Sequence, residues 1–243
     1  MRYERLLGHT ENAYLAEDVL KKINLETKGL SKKLRESIKL FVNTELEKLS
    51  TAKKVFETQL ANELKRRFKN IGLTIQGNYP SFTAGFYKIK VEPRSGDVAI
   101  FFGEELLTKV KLNPELITTE LEKFIQMIER RSFKEAEFYN LLRTAYKRWL
   151  MFNNKSFGEP APILDVLDEL VMLIQPSNWK RNPIQEHFKS YSRILFGYDL
   201  YRLLQSSKSK NIKLEPGEKS DRKHSIYVPQ DKSKGTWYSF ISF

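Results

Sequence analysis

The feature that most constrains this chain is an apolar stripe of unusual length. Leu34, Ile38, Val42, Leu46, Leu49, Ala52, Phe56, Leu60, Leu64, Phe68 and Ile71 follow one another in steps of three or four. Their mean spacing is close to the helical period, so the segment reads as helix rather than strand. Gly29-Leu-Ser31 opens it and Gly72 ends it. Ser50-Thr51 offers a cap in the middle, yet the stripe holds its register across that pair. One long helix and two collinear helices are therefore both open. A stripe of this kind is core, or a seam for a partner helix, before it is a cofactor site. Ahead of it, Thr10 can cap a short helix running to about Lys22.

After Gly72 the period changes. Leu73-Thr-Ile-Gln76 and Phe86–Val91 alternate, with turn residues at Gly77-Asn-Tyr-Pro80. Pro93-Arg-Ser-Gly-Asp97 then connects to Val98–Phe102 as a hairpin. The expectation is a three-stranded antiparallel meander. Helices return at Asn113-Pro114, a cap with proline at the first helical position, burying Leu116, Ile117, Leu121, Phe124, Ile125 and Ile128. Ser132-Phe-Lys-Glu135 has capping-box spacing and starts a helix with Phe133, Ala136, Leu141, Ala145 and Trp149 inward. Further helices are expected over Ile163–Ile174 and Tyr191–Gln205, the latter despite Gly197. Three strand-like pieces close the chain at Ile212–Leu214, Ser225–Val228 and Thr236–Phe243. The fold class expected is α+β, mainly helical, with the three-stranded meander in the middle and a small C-terminal β region. Four segments follow: 1–72 helical, 73–112 the meander, 113–206 a helical bundle, and 207–243 a basic β region.

Composition narrows the chemistry. A chain of 243 residues with 40% hydrophobic and 12% aromatic content is globular. It holds no cysteine, which removes disulfides and thiolate chemistry together. His9, His187 and His224 are scattered, leaving an all-carboxylate magnesium site as the metal chemistry still open. Apolar runs such as Val98–Phe102 and Leu170–Ile174 fall far short of the roughly 20 residues a membrane span needs. Met1-Arg-Tyr-Glu-Arg5 lacks an apolar core, so no secretory signal and a cytoplasmic location are expected. No phosphate-cradling G-x-x-x-x-G-K-[ST] loop and no G-x-G-x-x-G after a strand occur, so neither a nucleotide nor any other cofactor is expected.

Charge supplies the functional lead. The net charge of +12 favours a polyanionic partner. Residues 1–179 carry 29 Lys and Arg against 24 Asp and Glu, whereas residues 180–243 carry 13 against 6. Lys180, Arg181, Lys189, Arg193, Lys208, Lys210, Lys213, Arg222, Lys223, Lys232 and Lys234 are the candidate phosphate contacts, with Trp179, Trp237 and Tyr238 interleaved. Each phosphate they neutralise releases counterions, giving salt-sensitive affinity that ignores sequence. Closure of a small core is the simpler reading of Trp237, Tyr238 and Phe240. A metal-dependent nuclease would need carboxylates such as Asp97, Glu104 and Glu105 with Lys109 near by, and these read more simply as turn and strand-exit residues. Asp165, Asp168 and Glu169 read as one helix's polar face. His224 beside Arg222, Lys223 and Tyr227 is suitable for phosphodiester acid–base cleavage, though a single histidine in a basic loop is slender support.

The stretch Tyr191-Ser-Arg-Ile-Leu-Phe-Gly-Tyr-Asp-Leu-Tyr-Arg-Leu-Leu204, together with Gly235-Thr-Trp-Tyr-Ser-Phe-Ile-Ser-Phe243, resembles accessory (middle) subunits of bacterial anti-phage defence systems of the Lamassu type. Gly77-Asn-Tyr-Pro80 followed by its hairpin adds to the likeness, which covers about a third of the chain. The resemblance implies a non-enzymatic subunit that docks on an SMC- or ABC-type ATPase, beside a separate effector subunit, and helps to hold double-stranded DNA. It brings no family site residues. An adaptor that touches DNA through its basic C-terminal surface is thus the leading expectation. The alternatives are a nuclease or toxin-like effector with an unrecognised site, and a structural subunit that binds only protein.

Overall fold

The computed structural model describes residues 12–25, 29–206, 211–217 and 222–243. The chain divides into two compact units, one of residues up to Phe101 with Leu106–Glu122, the other of Phe102–Glu105 with Lys123–Phe243. Thr10, and Lys208 and Lys210 among the candidate contacts, lie outside the described residues.

The first unit begins with α1 (Ala13–Leu25) and α2 (Lys32–Asn70). The long stripe forms one helix of 39 residues, unbroken at Ser50-Thr51. Thr51 turns its hydroxyl back to the Glu47 carbonyl at 3.4 Å instead of capping a new helix. Ser31 caps the true start by accepting from the Leu34 N–H. Ala13, Ala16 and Leu20 bury against Val42 and Leu49, and each large aliphatic side chain so buried contributes about 1.5–3 kcal/mol. Leu34, at the head of the stripe, stays 49% exposed, as does Leu40 at 70%.

The sheet that follows corrects the expected meander. It has five antiparallel strands in sequential order: β1 (Ile75–Asn78), β2 (Ser81–Ala84), β3 (Tyr87–Glu92), β4 (Asp97–Phe102) and β5 (Glu105–Lys111). The two strands beyond expectation carry weak signals for physical reasons. β2 is four residues long and alternates only through Phe82 and Ala84. β5 opens on an acid, shows no clean alternation and leaves Leu106 half exposed. Gly77, read as turn, lies inside β1 at φ 87°, where a Cβ would meet the Ser81 carbonyl oxygen at 2.8 Å. β3 alternates as expected, burying Tyr87, Ile89 and Val91 and exposing Lys88 and Lys90.

Helix α3 (Pro114–Ile128) buries Ile117, Leu121, Ile125 and Ile128, whereas Leu116, expected inside, is 47% exposed. In the second unit, α4 (Glu135–Phe152) starts later than the Ser132 box and turns inward a face that shares Ala145 with the expected one. Phe138, Leu142, Ala145, Tyr146 and Leu150 are its buried residues, and Lys134 at its N-cap makes no side-chain cap bond. They pack with α5 (Ile163–Leu173) and α7 (Arg193–Leu204) around one core. Between those helices lies the short α6 (Ser177–Arg181).

The C-terminal strands belong to that same core. β9 (Gly235–Ser242) pairs with β6 (Ala161–Pro162), β7 (Lys213–Pro216) and β8 (Ile226–Pro229), all antiparallel. Leu214, Ile226, Val228 and Ile241 face the helices. Helix α7 can lie on β8 because position 197 is glycine: a Cβ there would stand 2.2 Å from the Tyr227 carbonyl oxygen. The Tyr227 ring in turn rests on two further glycines, with its atoms 2.0 Å from a Cβ at Gly103 and 2.5 Å from one at Gly235. Among the described residues, no helix is long and apolar enough to cross a membrane.

Candidate nucleic-acid interface

The described candidate contacts all lie in the second unit and fall into two groups. Lys180, Arg181 and Lys189 sit on the excursion between α5 and α7, and all three are exposed. Its ends are closed by Gln175, which is only 3% exposed. The Gln175 amide donates to the Val171 carbonyl at 2.7 Å and to the Lys189 carbonyl at 3.0 Å. Its Oε1 accepts from the Lys189 N–H at 2.9 Å. One side chain thus clamps positions 14 residues apart, and the excursion is a compact loop packed by its own side chains. Trp179 packs edge-on to Phe188 at 6.0 Å, and His187 places Nδ1 3.1 Å from the Asn182 carbonyl. Ile184 and Phe188 remain about two-fifths exposed, at 41% and 42%, so this loop offers apolar and cationic surface together.

The second group rims the C-terminal sheet. Lys213 stands on β7, and Arg222 and Lys223 form a single 3₁₀ turn with His224 ahead of β8. Lys232 and Lys234 occupy the β8–β9 connection. That turn is built on Asp231, whose Oδ1 accepts from the N–H and hydroxyl of Ser233 and from the N–H of Lys234. The Ser233 hydroxyl above all holds the Asp231 carboxyl below its ordinary range.

Not every basic residue is available to a phosphate. Arg193 donates to the carbonyls of Arg222 at 2.9 Å, Lys223 at 3.2 Å and also Ser225. It bolts the 3₁₀ turn to the start of α7. Arg222 pairs with Glu104 at 2.7 Å and lies 5.5 Å over the Trp237 ring. Lys234 sits 3.9 Å from Asp231. Lys180, Arg181, Lys189, Lys213, Lys223 and Lys232 make no ion pair among the described residues. Trp237 is half-buried, edge-on to Tyr227, with Nε1 3.3 Å from Glu104, and Tyr238 packs on the core, while Phe240 is 40% exposed.

Most of the carboxylates considered for metal chemistry have other partners. Asp97 pairs with Lys111 at 2.8 Å, which holds its carboxyl low, and Lys109 pairs with Glu92 at 3.2 Å. Burial pushes the Glu105 carboxyl up, and its Oε1 has no hydrogen-bond partner among the described residues. Asp165 accepts from Trp149 Nε1 at 3.0 Å, and Glu169 pairs with Arg148 at 2.7 Å. Burial, with Glu104 and Asp231 near, pushes the Tyr227 phenol up to about 12.

A further feature escaped the sequence. Asp199, on α7, is 2% exposed and gathers Arg131 and the Tyr191 hydroxyl on one oxygen and Arg202 on the other. Burial first, then Asp199, drives the Tyr191 phenol far above its ordinary value. Beside this cluster opens a cavity of about 250 Å³, walled by Phe133, Phe138, Leu141, Leu170 and Ile174. Arg131, Lys134 and Lys189 also line it. The signal in the sequence was an acid within the apolar run Phe196-Gly-Tyr-Asp-Leu200; its partner Arg131 is 68 residues away. The chain matches no protein-family model, no curated protein and no solved structure.

Proposed function

We propose that this chain is a non-enzymatic adaptor that lays the second unit's cationic surface along double-stranded DNA and docks on an SMC- or ABC-type ATPase. The observation that carries the DNA contact is the set of six exposed cations left without carboxylate partners: Lys180, Arg181, Lys189, Lys213, Lys223 and Lys232. Some cations elsewhere in the unit are neutralised locally, as in Arg148–Glu169 and Lys155–Glu159, while Arg143 and Lys147 lie over the Phe157 ring. A surface that keeps repelling charges unpaired stabilises itself by meeting an external anion. The ATPase partner rests on the likeness of α7 and β9 to defence-system subunits. α2, with Leu34, Leu40 and Val55 exposed, is the helix offered for that docking.

The test is binding to unrelated duplexes across a salt series. Log affinity should fall linearly with log salt, with a slope of about −0.9 per phosphate neutralised. Replacing Lys213, Lys223 or Lys232 with alanine should reduce that slope by about one each, without sequence preference. Undetectable binding at low salt would remove the DNA reading and leave an acidic protein surface as the partner.

A further inference from the structure

The cavity beside Asp199 has a charge imbalance that its own residues do not settle. Arg131, Lys134 and Lys189 line it with Glu137 and Asp199, and Arg202 shares Asp199 from behind. Three lining cations therefore face two carboxylates, and Arg202 adds a further positive charge behind Asp199. Glu137 is taken by Lys134 at 2.8 Å, and Asp199 is saturated by Arg131, Arg202 and Tyr191. The Arg131 Nε is buried with no acceptor among the described residues, and so is that of Arg202. Buried unpaired donors of this kind are rare and costly. Lys189 makes no ion pair there either.

The lining is thus net positive and suits an anion; a phosphate monoester carries about two negative charges near neutral pH, a phosphodiester one. The opposite wall is apolar and aromatic. Phe133 has Arg202 4.1 Å over one face, which fixes its ring as a flat wall. At about 250 Å³ the cavity lies just below the roughly 300–1,000 Å³ of ordinary small-molecule sites, so it suits a small ligand.

We propose that this cleft binds a nucleoside monophosphate group, its base against Phe133, Phe138 and Leu170 and its phosphate monoester met by Arg131, Lys134 and Lys189. The preference for a nucleotide over other phosphate monoesters that carry an aromatic ring rests on the nucleic-acid reading above. The same chemistry is presented by a free mononucleotide and by the 5′-phosphorylated end of a strand.

Calorimetry and thermal-shift measurements on the full chain, with AMP, GMP, CMP and UMP in turn, test it. Saturable binding is expected, and the matching nucleosides should bind far more weakly. The exposed pair Lys134→Gln and Lys189→Gln, which leaves the Asp199 cluster intact, should weaken binding at least about tenfold. A 5′-phosphorylated single strand that outbinds its 5′-hydroxyl twin identifies the strand end as the source. Equal binding of the two strands, with mononucleotide binding retained, identifies the free nucleotide. No saturable binding at millimolar mononucleotide, or binding that the double variant leaves unchanged, overturns the proposal. A covalently closed duplex circle separates the two readings. If the circle binds and mononucleotides do not, the cleft proposal alone falls; if mononucleotides bind and the circle does not, the surface reading alone falls.

Discussion

Replacing Gln175 with alanine tests whether the loop bearing Lys180, Arg181 and Lys189 is held ready or merely present. The carboxamide makes three hydrogen bonds of 2.7–3.0 Å, two of them to the backbone of Lys189. Each is worth about 0.5–1.5 kcal/mol net. Lys189 is exposed, so its freed N–H and C=O recover water and offset part of the loss. A global cost of about 1–3 kcal/mol follows, which lowers Tm by several degrees. The local effect is sharper. Opening at Lys189 becomes easier by about 1–2 kcal/mol, so its amide should exchange roughly 5–30 times faster, measured by hydrogen exchange at residue resolution. Duplex affinity should fall because three cations must be re-ordered on binding, yet the salt slope should stay the same, since no charge was removed. Unchanged exchange at Lys189 would refute the clamp. A fall in the slope would refute the claim that Gln175 acts only by positioning.

Gly197→Ala gains about 1 kcal/mol in helix propensity but forces a Cβ to within 2.2 Å of the Tyr227 carbonyl oxygen. Backbone cannot swing aside, so a net loss of about 1–2 kcal/mol is expected, and a rise in Tm would contradict the packing of α7 on β8. Asp199→Ala leaves Arg131 and Arg202 without their counter-ion and should cost about 3 kcal/mol in denaturant unfolding, the low end for a broken buried pair because Arg131 is 29% exposed. Glu105→Gln should stabilise the protein at pH 7. Burial raises the folded carboxyl above its ordinary 4.5, so the folded state pays for the charged form once pH exceeds that raised value. The advantage of glutamine should vanish as pH falls towards 4.5, and a Tm difference that does not shrink there would refute the assignment.

Helix α2 was legible because its period is a local property that 39 residues repeat. Where an element's evidence is short or one-sided, it was not. β2 has two inward residues, and β5 has its inward pattern blurred by partial exposure. The inward face of α4 is legible only in part: Ala145 is buried as expected and Phe133 and Trp149 pack partly buried on the core, but the helix begins only at Glu135 and centres its buried face on Phe138, Leu142 and Tyr146. Exposure of the basic residues followed from their type, but the role of each did not. Arg193 and Lys223 are both basic residues of one basic region, yet only the structure separates a bolt on three carbonyls from an open cation. The cleft was out of reach for the same reason. Arg131, Lys189 and Asp199 meet through tertiary packing, which leaves no spacing to read.

The seat of Tyr227 makes a statement about descent. One tyrosine presses its ring on Gly103 and Gly235 and its backbone oxygen towards Gly197, so three distant positions are tied to a fourth. Sequences that diverge from this one with a small side chain at 227 lift the ring from Gly103, whose φ of 55° still favours glycine, asparagine or aspartate, but leave Gly235 against the Val228 carbonyl oxygen, 2.6 Å from a Cβ there. Gly197 and Gly235 stay confined in every such lineage, because each faces a carbonyl that every residue carries. Substitution at 103 should therefore track residue 227 while positions 197 and 235 do not, a covariation pattern by which distant kin of this chain can be told from chance likenesses.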